Sequence, residues 1–385
     1  MQITRRMFTA LIGASALATP WASRAADPIE IAALYNVSSG GLASLDGPSL
    51  NGVRLMAKTI NEEGGLLGGR MIEINAIDTK NDTREAATAA QRAVAIDGLA
   101  AGIGHSDSSF ALASAPLFQS AGIPFVTSGA TSPDLPEMVG SEMFLVPFGD
   151  DVQAHAMAEY AYGTLGLRNV ALWTDQGMDY TTGLSKYFVE RFEELGGKIA
   201  AQESYMTTDQ DFSALVARLR SAKDVDGVFA SSGPDTAGII VKQIRESGID
   251  LPILAGDGFD TDLVTSVPGE RFATDVYFTT HAYAGIESGV AKRFRDDYQA
   301  EYGMPPENAF AALGYDAMGL VADAIERAGS SDPEKVTEAL ASTTGYEAVT
   351  GTIAFPEGER VPSKPVALMK VEDGTIAFET TVTPK

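Results

Sequence analysis

The chain has 385 residues, a length that suits two domains better than one. Apolar residues make up 45% and charged residues 21%, enough to bury real cores, and 28 Lys+Arg against 52 Asp+Glu leave a net charge of −24 that repels phosphate backbones and argues against a nucleic-acid partner. With no cysteine, disulfides, thiolate metal sites and cysteine nucleophiles are excluded, and the three histidines, His105, His155 and His281, are too scattered to suggest a multi-histidine metal site.

The N-terminus reads Thr4-Arg5-Arg6-Met7-Phe8, then an apolar run to Ala18, then Pro20, with Ser23 and Ala25 three and one residues before a cut. A positive start, a short apolar core and a small-x-small exit make residues 1–25 a signal peptide, with the mature chain starting near Ala26. The run falls well short of the ~20 residues that span a bilayer. The paired arginines resemble a twin-arginine signal, an ordinary Sec leader being the alternative. Removing Arg5, Arg6 and Arg24, and no acid, leaves 25 basic against 52 acidic residues, a mature charge of −27.

The mature chain alternates short apolar runs with stretches of helical period. Residues 29–34 read as a buried strand, ending at Asn36 and the Ser38-Ser39-Gly40-Gly41 loop. Pro48 suits the first turn of a helix whose inward face is Leu50, Val53, Ala57 and Ile60, stopped by Gly64-Gly65. A strand follows over 71–77, an alanine-rich helix over 84–96, a strand over 99–103, a helix over 110–119 and a strand over 123–126. The pattern restarts at Val152, with helices to 165, over 183–195, 212–221 and 238–247, and strands over 170–173, 198–203, 228–230 and 253–255. Such βα alternation implies α/β architecture: parallel sheets, helices on both faces and right-handed crossovers, in two doubly wound blocks. No 20–50-residue repeat is visible, so a solenoid is not indicated. The last part predicts helices over 288–302, 310–328 and 333–341, then strands over 366–371 and 375–380 joined by the turn signal Glu372-Asp373-Gly374.

Several stretches, taken in order, resemble the type I periplasmic binding proteins, in the leucine/isoleucine/valine-binding branch of ABC-transporter substrate-binding proteins. They are the Gly47, Gly52, Asn61, Gly64-Gly65, Gly68 series; Asp78-Thr79-Lys80-Asn81-Asp82; Gly102-Ile103-Gly104 with Ser108-Ser109; Gly122-Ile123-Pro124; Gly129-Ala130-Thr131-Ser132-Pro133; Asp211-Phe212-Ser213; Gly256-Asp257-Gly258; and Ala312 to Ala317. The resemblance implies two lobes joined by a hinge of three crossovers, near Gly149-Asp150, Thr280-His281 and Lys364. Lobe 1 is then 26–149 plus 281–363, and lobe 2 is 150–280 plus 364–385. It also implies a periplasmic, monomeric protein that takes a small amino-acid-like ligand in the cleft and hands it to a membrane permease, with no cofactor.

Ligands of such folds bind outside the carboxyl ends of the strands. The loop Gly104 to Ser109 offers hydroxyls and free amides at a helix start, an anion site, and Thr127 to Thr131 lies at a neighbouring strand end. By resemblance, Ser108 and Thr131 hold the ligand's carboxylate, with Ser109 and Ala130 beside them. Taken singly, Ser108 reads as a helix N-cap and Thr131 as a turn residue. Asp257 follows a lobe-two strand, where the family carries an acid for the ligand's ammonium; alone it reads as an Asp in a glycine-rich turn. Tyr180 stands where the family often has an aromatic on the ligand, or else packs locally at a helix start. Ser231-Ser232-Gly233 offers backbone contacts. Tyr35 and Leu45 belong either to the lobe-one wall or to the core, and His105 to the loop or core.

Three departures weaken any claim for leucine, isoleucine or valine themselves. Asp107 stands where those proteins place a disulfide cysteine, Leu45 where they can carry an aromatic, and Asp257 is a methylene shorter than their usual Glu. An enzyme is not indicated: there is no Gly-x-Ser-x-Gly elbow, His-Glu-x-x-His or Walker loop, and His105-Ser106-Asp107 are adjacent residues that seldom converge as a triad. A sensory receptor of the same fold, or a binder of an amide or small carboxylate, remains the alternative.

Overall fold

The computed structural model describes residues 27–384 apart from 284, 286–288 and 357. The leader lies outside the described residues.

Strand β1 (Ile29–Tyr35) is buried along almost its whole length, the environment of a central parallel strand covered on both faces. It leads to α1 (Ala43–Glu62), β2 (Ile72–Asp78), α2 (Thr83–Ala93), β3 (Leu99–Gly104), α3 (Ser108–Ala121), β4 (Phe125–Thr127), α4 (Leu135–Val139) and β5 (Met143–Leu145). These strands form a five-stranded sheet in the order β2-β1-β3-β4-β5, parallel throughout. Helix α1 starts a turn earlier than its proline suggests, so Pro48 lies inside it. The missing Pro48 N–H leaves the Ser44 carbonyl free, and Asn308 Nδ2 donates to it at 2.9 Å. Helix α4 and β5 went unread in the sequence; at five and three residues they are too short to show a period.

The chain then enters a second sheet through α5 (Asp150–Gly163), β6 (Asn169–Asp175), α6 (Asp179–Glu194), β7 (Lys198–Tyr205), α7 (Ser213–Ser221), β8 (Gly227–Ser231), α8 (Pro234–Glu246), β9 (Ile253–Ala255), a 3-10 turn (Asp257–Phe259), α9 (Leu263–Ser266) and β10 (Val276–Thr280). From β10 it returns to the first sheet, where α10 (Gly289–Tyr302), α11 (Ala309–Ala328), α12 (Pro333–Ala341) and the hairpin β11 (Tyr346–Ala348) and β12 (Gly351–Ile353) follow. Phe310, Leu313, Val321, Val336 and Ile353 share one core with Ile31, Val53 and Ile103. Helices α1 and α11 touch closely at glycines: a Cβ at Gly52 would sit 2.0 Å from the Ala311 carbonyl oxygen, and one at Gly314 would sit 1.9 Å from that of Ser49.

The chain crosses a third time to β13 (Val366–Glu372) and β14 (Thr375–Val382), which complete the second sheet in the order β14-β13-β10-β9-β8-β6-β7. This sheet is parallel from β6 to β10 and antiparallel at β13 and β14, so the expected parallel sheet gains a mixed edge. Asp373 and Gly374, both at positive φ, make the tight turn of that hairpin. Before β13, buried Lys364 donates to Thr350 Oγ1 at 2.7 Å, and burial pulls its ammonium down to about 8. Among the described residues no helix is long and apolar enough to cross a membrane.

Candidate functional site

Both sheets are wound alike. The order β2-β1-β3 in the first is matched by β7-β6-β8 in the second, so each has its switch point between two adjacent strands. The loops after β1 and β3 face the loops after β6, β8 and β9 around a narrow void of about 10 Å³. Leu42, Leu45, Ser106 and Asp107 line it from the first side, and Met178, Tyr180, Gly233, Pro234, Asp257 and Gly258 from the second. The two sides touch around it: Gly41 N donates to Asp235 Oδ1 at 2.6 Å, Asp179 N to Ser109 Oγ at 2.9 Å, Thr261 Oγ1 to Ser44 Oγ at 2.8 Å and Ala309 N to Asp260 Oδ2 at 3.0 Å.

On the first side, buried Asp46 fastens the two loops together. Its carboxylate accepts Asn36 N at 2.7 Å and Ser106 N at 2.9 Å, and burial pushes its carboxyl up to about 7. Asp107 is the N-cap of α3, a role the sequence reading had considered for Ser108. Its Oδ1 accepts Ser109 N at 2.9 Å and Phe110 N at 3.3 Å. The expected anion site at this helix start is therefore partly filled by the protein's own carboxylate. Ser108 is fully buried, and its oxygen accepts Ser132 N at 3.1 Å, which brings the two predicted loops together and leaves its O–H to donate elsewhere.

Thr131 is buried beside Asp150, whose N–H donates to the Thr131 carbonyl at 2.8 Å. The Ala130 amide is already engaged with Thr127 Oγ1 at 2.8 Å and His105 O at 3.1 Å, so it has nothing to offer a ligand. Ser109 lies at the rim, in contact with the other lobe. His105 is a core residue: Nε2 pairs with Ser114 Oγ at 2.9 Å, and burial pulls its pKa down to about 3. Tyr35 is core as well, its hydroxyl 2.7 Å from Ser128 Oγ. Leu45, in contrast, lines the void.

On the second side, Tyr180 and Asp257 both line the void. Gly258 N donates to the Tyr180 hydroxyl at 3.0 Å. Asp257 Oδ1 accepts Gln153 Nε2 at 3.0 Å, and Oδ2 lies 2.8 Å from His281 Nε2. Burial pulls the His281 pKa down despite this carboxylate, so the imidazole donates as a neutral group. Burial, and then the nearby Asp257 carboxylate, push the Asp150 carboxyl well up. Ser231 and Ser232 turn inward, to Thr181 O at 2.6 Å and Thr236 Oγ1 at 2.7 Å; from that stretch only Gly233 reaches the void.

Of the six residues singled out in the sequence, Tyr180 and Asp257 line the void, and Ser108, Ser109, Ala130 and Thr131 do not. Gln153, His281, Asp150 and Met178 went unmarked. Gln153 follows Asp150 by one helical turn at the start of α5, a spacing that offered the only signal for it. His281 enters from the second crossover, which no local pattern ties to Asp257.

The family model for periplasmic binding proteins matches residues 28–375. A leucine-binding protein from Thermotoga maritima is 33% identical, with a TM-score of 0.86 over 92% of this chain and 99% of that one. A branched-chain amino acid transporter substrate-binding protein from Streptococcus pneumoniae, in complex with isoleucine, is 31% identical, with a TM-score of 0.86 over 93% of this chain and all of that one. A leucine-, isoleucine-, valine-, threonine- and alanine-binding protein from Pseudomonas aeruginosa is 27% identical over 335 residues, 87% of each chain. With two lobes wound alike and facing each other across a cleft, and matched over nearly its whole length, the chain belongs to the periplasmic binding protein family, in the leucine/isoleucine/valine-binding branch.

Proposed function

We propose that this protein is an extracytoplasmic solute-binding protein of an ABC importer, which captures an amino acid or amino-acid-like molecule between its lobes and delivers it to a membrane permease. The observation that carries this reading is the meeting of both sheets' switch points across one cleft, with Asp257 and Tyr180 lining the void between them. In this reading Asp257 takes the ligand's ammonium in a charge-assisted hydrogen bond, while Tyr180 packs on its body. The hydroxyls of Ser108 and Thr131 take the carboxylate. The leucine and isoleucine of the relatives' names support the amino-acid class.

Residues 26–149 with 281–363, and 150–280 with 364–385, are the two bodies that close on the ligand, and the four hydrogen bonds across the cleft are those that closure forms. The protein acts as a monomer, exported by the leader 1–25, whose Arg5-Arg6 pair fits the twin-arginine route.

A thermal-shift screen of amino acids, amides and small carboxylates tests the ligand class. A ligand at 100 times its Kd stabilises by about 2.7 kcal/mol. Small-angle scattering with the strongest hit should show a smaller radius of gyration. No hit among the amino acids, or an unchanged radius at saturation, overturns the reading.

A further inference from the structure

We propose that the ligand's side chain ends in an N–H donor, an amide or amine, that Asp107 receives, which makes Asp107 a specificity-determining residue and the ligand a polar rather than an aliphatic amino acid. This rests on the amino-acid reading above.

Asp107 is only 2% exposed and lines the void. One of its carboxylate oxygens caps α3; the other, Oδ2, is buried and makes no hydrogen bond. Beside it, Ser106 Oγ is also buried, lines the void and makes none. A buried carboxylate oxygen without a partner is costly, and more so when charged.

The surroundings supply no cation: among the described residues no Lys, Arg or His lines the void, and the donors near Asp107 are the neutral hydroxyls of Ser106 and Ser109. Arg84, at the cleft mouth, is 92% exposed and pairs with Asp82 at 3.0 Å. The other side chains that bear on the same place electrostatically, Asp46 and Asp179, are acids. Burial pushes the Asp107 carboxyl up to about 6, as expected of a carboxylate that lacks a cation.

A donor that reaches Oδ2 from the void arrives with the ligand. Around Asp107 the wall is apolar, with Leu42, Leu45, Met178 and Pro234. Such a wall can pack the stem of a side chain while its tip meets Oδ2. An aliphatic tip would seal Oδ2 in with methyl groups and leave it unsatisfied.

Leucine and asparagine are nearly isosteric and differ in this donor. Calorimetry of the mature protein with leucine, asparagine and glutamine is the test. At least one amide should bind about tenfold or more tighter than leucine, the size expected for a hydrogen bond to a charged group. Asp107→Asn keeps an oxygen for the helix cap but puts an amide donor where Oδ2 was. It should weaken the preferred amide about tenfold or more and leucine much less. Leucine bound by wild type as tightly as both amides overturns this proposal while the amino-acid reading stands. An amide preference that survives Asp107→Asn removes Asp107 from the explanation. Lysine and ornithine extend the series to amine tips, and failure of all five to bind overturns this proposal, while the full amino-acid screen decides the reading beneath it. If Asp107→Asn does not fold, the wild-type ratio decides.

Discussion

The two walls of the void each present a buried aspartate, and the two are held in opposite ways. Asp257, on the second wall, has both oxygens engaged, one by Gln153 from α5 and the other by His281 from the second crossover. Asp107, on the first wall, gives one oxygen to its own helix and keeps the other unpaired. A carboxylate held by two neutral donors keeps a fixed position, which suits a ligand group that never varies, such as the α-ammonium. A half-used carboxylate is incomplete without its ligand, and suits the part that differs from one amino acid to another. Burial alone would not separate the two, since both side chains are only 2% exposed.

The sharpest way to break this comparison is Asp257→Asn. The shape is kept, but the charge and one acceptor are lost. Truncating a buried charged partner costs about 2–5 kcal/mol of binding. Affinity for the amino ligand should drop at least about tenfold by calorimetry, and a des-amino analogue should gain relative to it. Unchanged affinity would make Asp257 a fixture of the hinge network only.

Ser108→Ala tests the first wall behind Asp107. Loss of a neutral donor to a charged acceptor costs about 1.5–3 kcal/mol, and Thr131→Ala should behave similarly. A methyl ester of the ligand should lose less with Ser108→Ala than the free acid does. If acid and ester lose equally, the carboxylate lies elsewhere.

The smallest effect is on stability against pH. Burial pushes Asp46 up to about 7, and Asp107 and Asp260 up to about 6, so the folded protein holds protons that the unfolded chain has released. The stability they contribute is complete below the ordinary carboxylate range and is lost as pH rises through 6 to 7. His105, pulled down to about 3, works the other way, but only below its ordinary value near 6.5. Lys364, pulled down to about 8, opposes them as pH rises from 6.5 to 8, so the net fall is smaller than the about 1 kcal/mol of the carboxylates alone. Thermal melts of the ligand-free protein and of Asp46→Asn check this: the variant should lose less stability across that window. An equal loss would mean that Asp46 is already ionised in the folded state.

The fold was legible because its strands are nearly continuous apolar runs and its helices carry an inward stripe, as in 29–34 and the Leu50, Val53, Ala57 series. What escaped was short or distant. Three-residue β5 has no period to read, and β10, fully buried, shows no alternation. The site was legible where the chain is local: Asp257 and Tyr180 each follow a strand end directly. Long-range partners were not. His281 reaches Asp257 across 24 residues and Gln153 across 104, contacts that only the folded topology creates. Asp107 was visible as an oddity of the loop, but its one free oxygen emerges only once α3 has claimed the other.

The hairpin β13–β14 closes the edge of a sheet whose neighbouring strand, β10, ended at Thr280. Neither half of this molecule is a continuous stretch of gene. A fragment ending at residue 280 would expose the edge of β10 as an unpaired template for aggregation, and would lack the helices that cover the first sheet. Separating the lobes for study, or swapping one with a relative, would call for circular permutation or two co-expressed segments rather than a single cut. During synthesis, the second sheet waits for the last residues to emerge.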